Sequence, residues 1–362
     1  MFVTYVAIAK NEELVLERHL RSISGANKFW DHLLIADTGS TDRTRAIAES
    51  FGARVVDVPW TDSFCEARNA AASHAPPETD LIVTFDCDEE LIENGHLLRP
   101  RLEEHFALGH FIMSVKFIWW RRSDGTPETV FARPSVYSPK HFRYENHFHN
   151  LLVGGPVPNP RVYFEDILLE HKPLKPRGSG KSELSLRLMK RQMADYPDST
   201  RTLFYCGREF AYRREWEEAA RLLERLLERG PAPEHLMHGA FHLGEALTAL
   251  GRHDDARRAY LRVVEEMPNR REGWFWMLIW CYEAQRWREA ACWGEAALAV
   301  PYHESMAAIM TDGRAFGPMP HDLLSVVYFN LGEKAKGRAH LEEAIRLAPG
   351  DQRLLDNRKW FE

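Results

Sequence analysis

The first 90 residues alternate between short apolar runs and stretches whose apolar positions recur every three or four residues. Val3-Thr4-Tyr5-Val6-Ala7-Ile8-Ala9 is largely apolar and β-branched, and polar Lys10-Asn11-Glu12-Glu13 closes it. Leu14, Leu16, Leu20 and Ile23 then fall on one helical face. Residues 33–36 predict a second strand, ending in Asp37-Thr38-Gly39-Ser40-Thr41-Asp42. A helix follows to Phe51, where Gly52 supplies the stop. Residues 54–58 predict a third strand. Ser63, with Glu66 three residues on, is a capping box opening a helix to His74. Leu81-Ile82-Val83-Thr84-Phe85, apolar but for Thr84, predicts a strand at a sheet centre. Strands spaced by helices imply βαβ units and a mostly parallel sheet. From 107 to 163 the pattern changes to hairpins and longer loops, with Asp124-Gly125 as a turn, and residues 166–171 read as a last strand.

Pro173, Pro176, Gly178 and Gly180 mark a domain boundary, after which the pattern is helical to the end. That helical part repeats. Gly244, Ala256 and Pro268 stand twelve residues apart; Gly207, Ala219 and Pro231 keep the frame, as do Ser325, Gly337 and Pro349. Ala290 anchors a poorer copy behind Leu278, and an insertion around 302–320 stretches the last spacing. A period near 34 residues, with small residues where two helices cross and Pro closing the hairpin, is the tetratricopeptide pattern. Such units bury their faces only by stacking. The expected organisation is an α/β domain over 1–175, a basic linker or helix over 176–200 and helical repeats over 201–362.

Composition narrows this picture. Of 362 residues, 44% are hydrophobic and 28% charged, enough for two cores, and the net charge of −6 gives no global attraction to nucleic acid or anionic membrane. Cys65, Cys87, Cys206, Cys281 and Cys292 are odd in number and form no CxxC pair, which argues against a disulfide framework or zinc site. No apolar run approaches the ~20 residues of a membrane span. These features predict a soluble cytoplasmic protein. One stretch departs from the acidic balance: residues 172–214 hold eleven Lys/Arg against four acids. It reads as a solvated helix face or as a contact for an anionic acceptor.

The sharpest chemical feature is Asp86-Cys87-Asp88, followed by Glu89-Glu90, just beyond a buried strand. Open α/β sheets bind ligands beyond the carboxyl ends of their strands. Two carboxylates one residue apart there can share a hard divalent cation, which would neutralise a diphosphate. Asp37 and Asp62 follow other strands of the same edge, and Arg68 lies on the helix opened by Ser63. The alternatives are helix capping for Asp37 and a surface ion pair for Arg68. A nucleotidyltransferase would need a glycine-rich basic loop after the first strand, which Lys10-Asn11-Glu12-Glu13 lacks.

Ala7-Ile8-Ala9-Lys10-Asn11-Glu12-Glu13, Asp37-Thr38-Gly39-Ser40-Thr41-Asp42, Asp62-Ser63-Phe64-Cys65-Glu66-Ala67-Arg68-Asn69 and Asp86-Cys87-Asp88-Glu89 resemble, in order, the four blocks of bacterial family 2 glycosyltransferases with tetratricopeptide tails. Peptide S-glycosyltransferases belong to that group. The resemblance implies a GT-A fold and inverting, metal-dependent transfer from a nucleoside diphosphate sugar, a UDP-sugar first, with Mn²⁺ or Mg²⁺. It places Asp37 at the donor's base, Arg68 at the base or phosphates, Asp86 at the ribose or metal and Asp88 on the metal. His171 is a candidate third ligand. Residues 143–150 resemble a family block ending His-Glu, but here Asn150 replaces the glutamate, and an amide cannot accept a proton. The base is then sought among Glu145, His149, Glu165 and Asp166, with Glu145 and His149 preferred; His147 reads as a packed loop residue. Trp119-Trp120-Arg121-Arg122 could floor an acceptor site or simply pack. The expected acceptor is macromolecular: a protein, peptide or glycan, with nucleic acid as a minority reading. The competing class is a non-catalytic repeat adaptor.

Overall fold

The computed structural model describes residues 1–121, 125, 127–156, 160–174, 183–301 and 312–362. Arg122, Asp124, Lys175, Pro176, Arg177, Gly178, Gly180, Lys181 and Tyr302, on which parts of the sequence reading fall, lie outside the described residues. The chain forms two compact units, Met1–Tyr196 and Pro197–Glu362.

In the first unit β1 (Val3–Ala9), β2 (His32–Asp37), β3 (Arg54–Asp57) and β4 (Leu81–Val83) form the parallel half of an eight-stranded sheet. β5 (Glu89–Glu93), β6 (Ile112–Arg121), β7 (Pro127–Tyr137) and β10 (Val162–His171) complete it, in the order β3-β2-β1-β4-β7-β6-β10-β5. β8 (Phe142–Glu145) and β9 (Leu151–Gly154) make a separate hairpin. β1 lacks polar alternation because both its faces are covered. Val3, Tyr5, Ala7 and Ala9 join a core with Leu16 and Leu20 of α1 (Leu16–Ser22), Ala48 of α2 (Thr44–Ser50) and Leu98 and Leu102 of α4 (Leu98–Ala107). Val6 joins the opposite core with Cys65, Ala67 and Ala71 of α3 (Phe64–Ser73). α5 (Glu183–Asp195) also belongs to this unit.

The expected strands are present with shifted ends. β4 is assigned only to Val83, although Thr84 N–H still bonds Ser135 O of β7, opposite it in the same register. β10 starts four residues early and bulges between Phe164 and Leu168. Ser63 caps α3 by accepting from Glu66 N–H, but the Glu66 carboxylate, which a full capping box would turn back, goes to Thr61 and Arg191 instead. β5 and α4 had no place in the sequence reading.

The second unit is all helical. Its hairpins are α6 (Thr200–Tyr212) with α7 (Trp216–Glu228), α8 (Pro233–Ala249) with α9 (His253–Glu266), α10 (Arg271–Glu283) with α11 (Trp287–Ala299), and α12 (Met319–Asn330) with α13 (Lys334–Leu347); α14 (Gln352–Asp356) follows. The small residues do what the period implies. A Cβ on Gly207 would lie 2.7 Å from Leu223 Cγ, and one on Gly244 2.2 Å from Tyr260 Cζ. Ala219, Ala256 and Ala290 are fully buried in the second helix of their hairpins. The described helices include none long and apolar enough to cross a membrane, and all five cysteines are free, four of them buried.

Candidate active site

Parallel pairing puts Ala9 beside Asp37 and Tyr5 beside Val83, so the residues following β1, β2 and β4 emerge at one sheet edge. Asp37 is buried there. Its Oδ1 accepts from Ser40 N–H at 2.9 Å and its Oδ2 from Arg45 at 2.9 Å. Burial would raise its pKa, but these bonds hold it below the usual range. Arg45 also reaches Asp57, at 2.5 Å.

Asp86 is bracketed by guanidiniums. Arg68, from α3, donates to Oδ1 at 2.6 Å and Arg133, from β7, to Oδ2 at 3.0 Å. Burial alone would push the carboxyl up; the two cations hold it far below the usual carboxylate range. Arg133 also pairs with the buried Glu89, whose Oε2 accepts from Asp86 N–H at 2.8 Å. Arg68 lies over the Tyr144 ring and Arg133 over Phe117. Asp86, expected at both nucleotide and metal, thus has each oxygen on an arginine.

Asp88 is differently placed. Its Oδ2 lies 3.1 Å from His171 Nε2. The imidazole stacks on Trp119 at 4.1 Å with 2° between the planes, and its Nδ1 is buried without a hydrogen-bond partner. One face of Trp119 is therefore taken. Nearby, half-buried Glu12 is pushed up to about 7, first by burial and then by the Asp88, Asp86 and Asp42 charges. Asp88 and His171 come together as a pair, but among the described residues no group of three or more His, Cys, Asp or Glu forms a ready metal cage.

Asn69 of α3 grips Tyr144 through both N–H and C=O, at 2.9 Å each, and so fixes the loop after β8. Glu145 pairs with Arg143 at 2.8 Å. Asn146 and His149 adopt φ of 72° and 48°, left-handed positions that non-glycine residues occupy at a cost. His147 is buried: Nδ1 lies 2.8 Å from Ser63 Oγ and Nε2 2.8 Å from Asp195 Oδ2. This Ser-His-Asp line is not a nucleophile site, because Ser63 is fully buried and its Oγ already caps α3. Glu145 and His149 share this loop. Glu165 is exposed in the β10 bulge, and Asp166 is paired with Arg101 at 2.9 Å.

The basic stretch is partly spent inside its own units. Arg187 pairs with Asp62, Arg191 with Glu66 and Asp195, and Arg213 with Glu209. Asp62, with φ of 54°, is held by Trp60 and Arg187. Arg133, Glu89, Arg45 and Glu12 were not singled out from sequence. Glu12 and Glu89 carried a signal, standing inside the first and fourth family blocks; Arg133 and Arg45 carried none.

A mixed sheet that presents Asp37, Asp86 and Asp88 at the carboxyl edge of its parallel half has the GT-A architecture, and the second unit is a stack of helical hairpins. Residues 4–170 match Glycosyl transferase family 2, and residues 240–270 and 321–351 match Tetratricopeptide repeat models. The N-terminal unit carries a glycosyl transferase family 2 domain, and the C-terminal unit carries tetratricopeptide repeats. A TPR repeat-containing protein of Synechococcus elongatus is 27% identical over 73% of this chain and 66% of its own length. An uncharacterized glycosyltransferase of Rickettsia bellii is 30% identical over 36% of this chain and 41% of its own length. The chain thus spans at most about two thirds of these relatives. A solved glucosyl-3-phosphoglycerate synthase of Mycobacterium tuberculosis, in complex with Mn²⁺ and uridine-diphosphate, is 24% identical over 38% of this chain and 57% of its own, with a TM-score of 0.30. A likeness of that size bears on neither the ligands nor the mechanism of this chain.

Proposed function

We propose that the N-terminal unit transfers a sugar, with inversion, from a nucleoside diphosphate donor, a UDP-sugar first, to a macromolecular acceptor. The observation that carries this reading is the Asp88–His171 pair on Trp119, beside an Asp86 compensated by Arg68 and Arg133. These residues fit a divalent cation. The unpartnered His171 nitrogen, the Asp88 oxygens and the raised Glu12 carboxyl form an undercompensated acidic corner of hard and borderline donors. Asp88 and His171 would hold Mn²⁺ or Mg²⁺, which when bound would neutralise the leaving diphosphate. Asp37 would bind the donor's base, Arg68 its base or phosphates and Asp86 its ribose. As the bond from the acceptor atom to the sugar's anomeric carbon forms and the bond to phosphate breaks, Glu145 or His149 would take the acceptor's proton. The repeats would recognise the acceptor, a protein, peptide or glycan; Arg187 and Arg191, held in internal pairs, weaken the nucleic-acid reading. The reading places the enzyme in the cytoplasm.

Nucleoside diphosphate release from a panel of UDP-, GDP- and dTDP-sugars with Mn²⁺ tests this directly. Asp88→Ala should lose metal-dependent release while melting within a few degrees of the parent. Full metal-dependent activity in that variant would defeat the assignment. Asn150, with an amide where the family block has a carboxylate, favours the adaptor reading, which predicts no turnover of any donor.

A further inference from the structure

The loop between β8 and β9 cannot hold its own shape. Two of its residues, Asn146 and His149, are left-handed without being glycine, a conformation that side chains other than Asn and Asp rarely adopt. Its inner N–H groups have no ladder to join. What satisfies them comes from α5, more than forty residues on. The Gln192 side chain is buried, and its amide works at both ends. Oε1 accepts from His147 N–H at 2.7 Å and from Phe148 N–H at 3.4 Å, while Nε2 donates to Asn146 Oδ1 at 2.6 Å. One turn further along α5, Asp195 takes the other side of the His147 ring. His147 meets Ser63, which caps α3, and α3 carries Arg68 to Asp86. A continuous set of direct contacts therefore runs from α5 through this loop to the carboxylate at the end of β4.

We propose that Gln192 is a positioning residue for the transfer step: its amide fixes the backbone from which Glu145 and His149 project, and so sets where the acceptor's proton is received. This rests on the transferase reading above. The amide is built for the task, because one oxygen gathers two consecutive N–H groups and the nitrogen locks the strained Asn146 beside them. An apolar residue of the same length would fill the space and leave those donors buried and unmet.

The test uses the full chain, Mn²⁺ and the UDP-sugar that the wild type hydrolyses fastest, with UDP release to water as the readout, so no acceptor is needed. Gln192→Met should lower kcat at least tenfold while the KM for the UDP-sugar stays within about twofold. Gln192→Glu, which keeps an oxygen for the His147 and Phe148 N–H groups and offers a second to which the Asn146 amide can turn and donate, should recover most of the rate. A donor-induced thermal shift in Gln192→Met would show that the donor side remains folded. The proposal is overturned if Gln192→Met keeps its kcat, if kcat and donor binding fall together, or if Gln192→Glu is no better than Gln192→Met. A wild type that turns over no donor sinks the transferase reading and this proposal with it; an active wild type with an equally active Gln192→Met sinks this proposal alone.

Discussion

Replacing Arg133 by methionine strips two carboxylates of one cation. Asp86 keeps Arg68 at 2.6 Å and remains partly open to solvent, so its loss is modest. Glu89 is only 1% exposed, and Arg133 is its ion-pair partner. Removing one member of a buried pair costs about 3–5 kcal/mol, because the other charge stays buried and unpaired. Arg133 itself is partly exposed, which places the expected loss near the lower end, about 3 kcal/mol. For a unit of this size that is a fall of roughly 6–12 °C in Tm. Adding Glu89→Gln removes the stranded charge while keeping an oxygen for Asp86 N–H, so the double variant should regain most of the loss. Scanning calorimetry of the full chain measures both, provided the two units' transitions are told apart. A loss below about 1 kcal/mol for Arg133→Met, or no recovery on adding Glu89→Gln, would refute a buried charge pair as the support under Asp86.

Three further outcomes follow from the same contacts. Burial holds His19 down to about 4, neutral between Tyr5 Oη and Glu89 O. The unfolded chain therefore takes the proton first, and stability should be full above about pH 6.5 and decline by up to about 3 kcal/mol toward pH 4; a flat urea-midpoint profile across that window contradicts this. Glu12, pushed up to about 7, has the opposite sign: its contribution is present at low pH and lost as pH rises through 7. Mn²⁺ should relieve that, so its thermal stabilisation should be larger at pH 8 than at pH 6, and Glu12→Gln should flatten the difference. Gly244→Ala would drive a Cβ into the Tyr260 ring and should cost the repeat unit about 1–3 kcal/mol, which also marks that unit's calorimetric transition.

What could be read from the sequence was whatever is local. The apolar run of β1, the cap at Ser63 and the Gly207/Ala219 and Gly244/Ala256 frames each state their role within a few residues or one period. The strand β5 could not be read, because Glu89-Glu90-Leu91-Ile92-Glu93 looks like a solvated acidic loop until β10 pairs with it and Arg133 neutralises its first residue. Arg133 has no local signal: it reaches Asp86 only because β7 runs antiparallel beside β4, with Val136 opposite Val83. His171 meets Trp119 because β10 runs parallel to β6 with Glu170 beside Ile118. Register between distant strands decides such contacts, and a single sequence does not state it.

Helix α5 has a consequence for anyone recombining this protein's parts. The proline- and glycine-rich residues 173–181 look like the natural seam, and a chimera joined there would carry α5 away with the repeats. That would bare the N–H groups of His147 and Phe148 and remove Arg191 from Glu66 and Arg187 from Asp62. The seam that keeps each unit's hydrogen bonds intact lies between Tyr196 and Pro197. Grafts that bring a different repeat array to this N-terminal unit should be spliced at that junction, with α5 inherited from the same parent as the sheet.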